Sequence, residues 1–79
     1  MERVYVLMDV ERTKLDLAMA ALGEIPGVVR VDPVTGAHDL VVIVDGEDLP
    51  KLLGSVIRRL RDVDGVKATE TLVAIKPPR

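Results

Sequence analysis

The sequence contains no cysteine, phenylalanine, tryptophan, asparagine or glutamine, and Tyr5 is its only aromatic residue. A chain without cysteine can form neither a disulfide nor a thiolate metal site, and we expect no metal centre and no cofactor. A single aromatic ring supplies no stacking platform for single-stranded nucleic acid. The formal net charge of −2 also argues against direct DNA binding, because neutralising phosphates requires a basic surplus.

The chain also lacks a long apolar run. A membrane span needs roughly 18–20 such residues, and the start Met-Glu-Arg-Val does not resemble a signal peptide, so a cytoplasmic protein without a membrane partner is expected. The 79 residues fit a single domain, residues 1–79. A domain this small buries only about 60–65% of its unfolded surface, which favours association. Abundant Val, Glu and Arg without Asn or Gln is typical of a thermophilic source.

Hydrophobic periodicity predicts four strands and two helices. The predicted order is strand 2–10, helix 14–24, strand 28–34, strand 39–45, a helix from Asp48, and strand 66–76 before the tail Pro77-Pro78-Arg79. The first strand has apolar residues on both faces and should be central, whereas Pro33 assigns the second to a sheet edge, because proline cannot donate to a ladder. The second helix has an apolar stripe that is expected to face the sheet: Leu49, Leu52, Leu53, Val56, Ile57 and Leu60. Its other face, which includes Arg58, Arg59 and Arg61, is interpreted as solvated.

An internal duplication organises these elements. With an offset of 38 residues, Val4 aligns with Val42, and Gly27 aligns with Gly65. Two βαβ halves of this kind usually interleave into one antiparallel sheet. We therefore predict an α+β, ferredoxin-like βαββαβ fold, with strand order 4-1-3-2 and both helices on one face.

The opposite face of this predicted sheet is apolar and has no helix to cover it. Alternation along the first and third strands directs four side chains to it: Tyr5, Leu7, Val41 and Ile43. An uncovered aliphatic patch favours self-association, and an isologous two-fold contact is its commonest form. These residues are therefore predicted to form the interface of a face-to-face homodimer.

Few residues carry distinctive chemistry. His38, the only imidazole, is followed by Asp39, and the pair is interpreted either as a general base oriented by a carboxylate or as polar turn residues. Thr69 and Thr71 share one face of the last strand, where they either hold an amino-acid ligand or are ordinary strand residues. Gly36 is expected to supply a positive φ in the turn.

Four segments, in this order and spacing, resemble one family. They are Ile25-Pro26-Gly27-Val28, Val34-Thr35-Gly36-Ala37-His38-Asp39-Leu40-Val41-Val42, Gly65-Val66, and Thr69-Glu70-Thr71-Leu72-Val73. Together they are similar to the ligand-binding (RAM) domain of the Lrp/AsnC, or feast/famine, transcriptional regulators. The first predicted strand begins at residue 2, so the resemblance implies a stand-alone form without the helix-turn-helix.

The resemblance also implies partners and a site. Family dimers associate into rings and bind amino-acid effectors between dimers. Carried over by position, the ligand-binding residues are Thr35, Gly36, Ala37, His38, Asp39, Thr69 and Thr71. Backbone N–H groups at the turn and a Thr hydroxyl would take the carboxylate, and Asp39 the ammonium. A full-length Lrp/AsnC regulator is a further expected partner, and ligand-linked assembly is the expected mode of regulation.

Two alternatives remain open from the sequence. Small dimeric α+β barrel enzymes, such as monooxygenases, share the ferredoxin-like half and the sheet-to-sheet dimer, and some use a lone histidine. That interpretation requires His38 to point into a cavity on the uncovered sheet face. The second alternative is a structural oligomer with an empty cleft.

Overall fold

The computed structural model describes residues 1–76, and the Pro77-Pro78-Arg79 tail lies outside this range. The elements are β1 (Glu2–Val10), a 3-10 turn (Arg12–Lys14), α1 (Leu15–Gly23), β2 (Val28–Pro33), β3 (Leu40–Gly46), a helical segment we call α2 (residues 49–61) and β4 (Val66–Val73). All three strand pairings are antiparallel and the order is β2-β3-β1-β4. This confirms the predicted ferredoxin-like topology, with β1 central and β2 at an edge.

The core lies between the sheet and the two helical segments. Alternate residues of the two central strands point into it, among them Val6 of β1 and Val42 of β3, both fully buried. Leu22 of α1 and Leu60 of α2 close over them and are also fully buried. Because both helical segments contribute to this single cluster, they cover the same face of the sheet and leave the other uncovered.

We call that other surface the open face. Tyr5 lies opposite Ile43, and Leu7 opposite Val41, in the register of β1 with β3. Leu72 of β4 pairs with Tyr5 on its other side and is 44% exposed. The four residues predicted for a dimer interface therefore form one contiguous apolar patch, and Leu72 extends it.

The α2 segment departs from the predicted regular helix. An α-helical turn, Leu49–Lys51, is followed by a π-helical stretch, Leu52–Val56, and then by α-helix Ile57–Arg61. In the π-helical stretch the Ile57 N–H donates to the Leu52 carbonyl, five residues back, and both side chains face the core. This wider step rotates Leu53 out to 43% exposure, so the expectation that Leu53 faces the sheet is wrong.

The N-terminus of α2 follows the predicted pattern. The Asp48 carboxylate accepts a hydrogen bond of 3.1 Å from the Lys51 N–H, and Pro50 stands in the first turn, where its missing donor has no cost. Within residues 1–76, no helix has the length and apolar character required to cross a bilayer.

Candidate ligand-binding turn and the charged end of the sheet

The turn between β2 and β3 is held against β1 by Asp39. Its backbone N–H donates to the Met8 carbonyl at 2.8 Å, and its carbonyl accepts from the Val34 N–H at 2.9 Å. The side-chain Oδ2 accepts from the Val10 N–H at 2.8 Å. One carboxylate oxygen therefore has a structural role, and Oδ1 is left for another donor.

The tip of the turn is exposed and depends on a glycine. Gly36 has φ of +104°, as the sequence predicts, and no atom lies within 4 Å of the position that a Cβ would take. Glycine is therefore required by backbone conformation rather than by space. Thr35 and Ala37 on either side are exposed, which leaves their backbone accessible to a ligand.

His38 points to the open face and contacts two carboxylates from neighbouring strands. Its Nδ1 lies 3.1 Å from Asp9 Oδ1, and its Nε2 lies 3.4 Å from Glu70 Oε1. A neutral imidazole has one N–H, so both contacts are favourable only when the ring carries two protons. The sequence suggested Asp39 as the orienting carboxylate. That interpretation is wrong, because the Asp39 carboxylate turns to the Val10 amide, and Asp9 is the residue beside His38.

Thr69 and Thr71 lie on the opposite side of the sheet from His38. They pair with Met8 and Val6 of β1, residues that face the core, and both threonines are half-buried. Glu70 between them faces the other way, as alternation predicts. The two groups of predicted ligand-binding residues are thus at the same end of the sheet, but one protomer does not join them into one cavity.

Two neighbouring cavities flank β4 near this end. One, of about 570 Å³, lies between the end of α2 and β4; Arg58, Arg61, Asp62, Val66, Lys67 and Thr69 line it. The other, of about 280 Å³, is lined by Val10, Arg12, Leu15, Asp39 and Lys67. Lys67 borders both because the β1–β4 register shifts there: Asp9 pairs with Ala68, and Val10 with Val66. Such a bulge re-aims the extra side chain.

Sequence reasoning missed Arg12 and Lys67 as neighbours of Asp39. Periodicity does not reveal a bulge, because the bulge depends on pairing with another strand. No signal in the sequence marks this bulge, because it becomes visible only once the β1–β4 register is known. The resulting cavity combines one carboxylate with two cations beside aliphatic walls.

The other end of the open face has an ion pair. Arg3 donates two hydrogen bonds to Asp45, Nε to Oδ1 at 2.7 Å and Nη2 to Oδ2 at 2.8 Å. The guanidinium lowers the pKa of the Asp45 carboxyl below its ordinary value, and the carboxylate raises the pKa of Arg3. Charged groups therefore lie at both ends of the apolar patch, an arrangement typical of a protein interface with a polar rim.

The described residues contain no candidate metal centre: among residues 1–76, no group of three His, Asp or Glu side chains could hold a metal ion.

Comparisons with known proteins agree with this architecture. An uncharacterized HTH-type transcriptional regulator of Pyrococcus horikoshii is 32% identical over 69 residues, which cover 87% of this chain and 44% of the regulator. The chain thus spans less than half of that relative's length. The crystal structure of TTHA0845 from Thermus thermophilus superposes with a TM-score of 0.87 at 34% identity, covering 100% of both chains.

A third similarity is to a solved complex. The transcriptional regulator NMB0573 of Neisseria meningitidis, crystallised with L-Met, matches with a TM-score of 0.79 at 18% identity, over 95% of this chain and 50% of that one. At this identity the similarity shows the fold alone. The model of the Lrp/AsnC ligand binding domain matches residues 3–79. The chain belongs to the family of Lrp/AsnC ligand-binding domains, which are homologous to parts of transcriptional regulators.

Proposed function

We propose that this domain binds an amino-acid effector in a cleft between dimers and that binding shifts the equilibrium between its assemblies. The observation that carries the proposal is the placement of the predicted ligand residues. The turn with Gly36 and Asp39 and the threonines of β4 occur at one end of the sheet, but within the described protomer Asp39 and Thr69 line two separate, neighbouring cavities. A single cleft that uses both groups would form where the turn of one protomer meets β4 of another.

The dimer that would build such a cleft forms through the open face. Tyr5, Leu7, Val41 and Ile43 are joined by Leu72 in one apolar patch, and covering apolar area contributes roughly 25 cal/mol per Å². A second copy supplies a matching patch through a two-fold contact. This supports a homodimer as the unit from which a ring is assembled.

The charged groups near the turn suit the two ends of a free amino acid. Asp39 Oδ1 is available to accept from an ammonium group while Oδ2 holds the Val10 amide. Arg12 and Lys67 line the same cavity and supply donors for a carboxylate. Exposed N–H groups around Gly36 and Ala37 add neutral donors. The complex of the Neisseria regulator with L-Met supports an amino acid as the ligand class.

The domain would act by coupling ligand binding to assembly, and not by catalysis. A ligand bound between dimers shifts assembly only by its differential affinity for the two states. Co-assembly with a full-length regulator of this family follows if the same surfaces are shared, and mixing the two proteins for native mass spectrometry tests it. Absence of hybrid species would remove this part of the proposal.

The central step is tested by light scattering coupled to size-exclusion chromatography, with and without each of the twenty amino acids. We expect a dimer in equilibrium with a larger assembly, and a shift toward the larger assembly with one amino acid or one class of them. Ile43→Arg is the control that removes the dimer itself. A monomer insensitive to every amino acid would contradict the proposal.

A further inference from the structure

The cavity between α2 and β4 contains an excess of positive charge. Arg58, Arg61 and Lys67 line it together with Asp62, three cations and one carboxylate, although the whole chain has a net charge of −2. Among residues 1–76, none of the three cations has an acidic side chain within 4 Å. The positive charge of this cavity is therefore not neutralised by the described protein.

Neutral donors lie beside these cations. The half-buried Thr69, which has a hydroxyl group, lines the cavity, and so does the aliphatic Val66. Since β4 is an edge strand, its backbone N–H groups that point away from β1 have no strand partner within the described sheet. A volume of about 570 Å³ is in the range of small-molecule sites.

We propose that this cavity binds a small anionic ligand, and that an acidic amino acid, with two carboxylates and one ammonium group, matches its three cations and one carboxylate best. Its two carboxylates would be bound by the Arg58 and Arg61 guanidinium groups and the Lys67 ammonium group, while its own ammonium group would lie near Asp62. The Thr69 hydroxyl donates to one carboxylate oxygen. The inference goes beyond the proposed function, because it assigns a second site apart from the cleft at the turn; its choice of an amino acid rests on that proposed function.

A different physical explanation exists for the arginines and can be separated from this one. Arg58, Arg59 and Arg61 all lie in the last turn of α2, where positive charge is favoured by the partial negative charge of the helix C-terminus. That explanation treats the three residues as equivalent. A site in the cavity distinguishes them, because Arg58 and Arg61 line the cavity and Arg59 does not. Arg59 is therefore a matched control.

Isothermal titration at constant ionic strength tests the proposal with L-glutamate, inorganic phosphate and L-leucine as probes. We expect L-glutamate to bind and L-leucine not to bind at this site. Arg58→Gln and Arg61→Gln should each weaken glutamate binding by at least about tenfold, the scale of a lost charge-assisted hydrogen bond. Arg59→Gln, which removes the same charge from the same helical turn, should stay within about twofold. Circular dichroism should show an unchanged fold in all three variants.

The phosphate titration distinguishes a carboxylate ligand from a phosphate ligand. Phosphate that binds and competes with glutamate would extend the ligand class to phosphate monoesters; glutamate binding alone would assign the site to acidic amino acids. Binding of neither probe would overturn the proposal. A loss of glutamate affinity with Arg59→Gln as large as with Arg58→Gln would also overturn the proposal. The ligand would then be attracted by the overall positive charge of the helix end and not by the cavity.

The anion site and the proposed function can fail independently, and the experiments tell the two failures apart. If an amino acid shifts the assembly but neither glutamate nor phosphate binds in the titration, the anion site is wrong and effector-linked assembly stands. If glutamate or phosphate binds and requires Arg58 and Arg61, but no amino acid changes the assembly, the anion site stands and the proposed function fails.

Discussion

Replacing Asp39 separates its structural role from its proposed role in binding. In the wild type, Oδ2 accepts the Val10 N–H at 2.8 Å, and Val10 is only 4% exposed. Asp39→Ala leaves that amide without its side-chain partner. Hydrogen bonds to charged groups contribute about 1.5–3 kcal/mol, so Asp39→Ala should lower the free energy of unfolding by that amount.

Asp39→Asn should behave differently, because the amide oxygen can still accept from the Val10 N–H. Its expected loss of stability is below about 1 kcal/mol, the scale of a neutral hydrogen bond. Its loss of effector binding should nevertheless be large, about tenfold or more, because the ammonium group loses a charged acceptor. The two substitutions thus differ in stability but not in ligand binding.

Urea unfolding followed by circular dichroism measures the stability difference, at one protomer concentration because association shifts apparent stability. Asp32→Ala is the control: Asp32 pairs with Arg30 at the surface, 2.8 Å apart, and its removal should cost less than about 1 kcal/mol. Equal losses for Asp39→Ala and Asp39→Asn would refute the assigned role of the hydrogen bond from Val10.

Three further predictions concern the helix, the ion pair and the open face. Leu52 is 4% exposed, so Leu52→Ala should lower the free energy of unfolding by about 2–5 kcal/mol. Leu53 is 43% exposed, so Leu53→Ala should lower it by less than about 1 kcal/mol. Equal losses in urea unfolding would contradict the π-helical register. Arg3→Met should destabilise the domain at pH 7. The difference from wild type should narrow below pH 3.8, the ordinary pKa of an aspartate, because Arg3 lowers the pKa of Asp45 and this stabilisation is lost as the carboxylate protonates. A difference that grew with acidification would contradict this. Ile43→Arg should convert the proposed dimer to a monomer in sedimentation velocity, and an unchanged dimer would exclude the open face as the interface.

Much of the architecture was predictable because the signals are local or repeated. Pro33 marks an edge strand by its missing donor, and β2 is at the edge. Gly27 and Gly65, the glycines aligned by the duplication, have φ of +100° and +98°, so the repeat extends to backbone conformation. Gly36 likewise has the positive φ that was predicted from its place in the turn.

The register of α2 was not predictable from the same signals. Leu52 and Leu53 are both leucine, so an apolar stripe with a four-residue step looks the same as one with a five-residue step. The difference arises from packing against the sheet. A Cβ on Gly46 would lie 2.7 Å from Leu52 Cδ2, so the glycine at the end of β3 makes room for Leu52 and not for its neighbour.

The candidate site was predictable only in part, because its remaining contacts join distant segments. The positions of Gly36 and Asp39 in the turn follow from the sequence. The contacts of His38 with Asp9 and Glu70 depend on which residues β1 and β4 bring opposite the turn. The position of Lys67 between two cavities depends on a bulge, and neither feature has a sequence period of its own.

Native mass spectrometry of the protein with the twenty amino acids tests the central claim most directly, because it counts both protomers and bound ligands. We expect an assembly larger than a dimer that retains one kind of amino acid at a fixed stoichiometry in the wild type. The folded Asp39→Asn protein should lose this retention. A dimer that retains none of the twenty, or retention unchanged in Asp39→Asn, would contradict an effector site built around this turn.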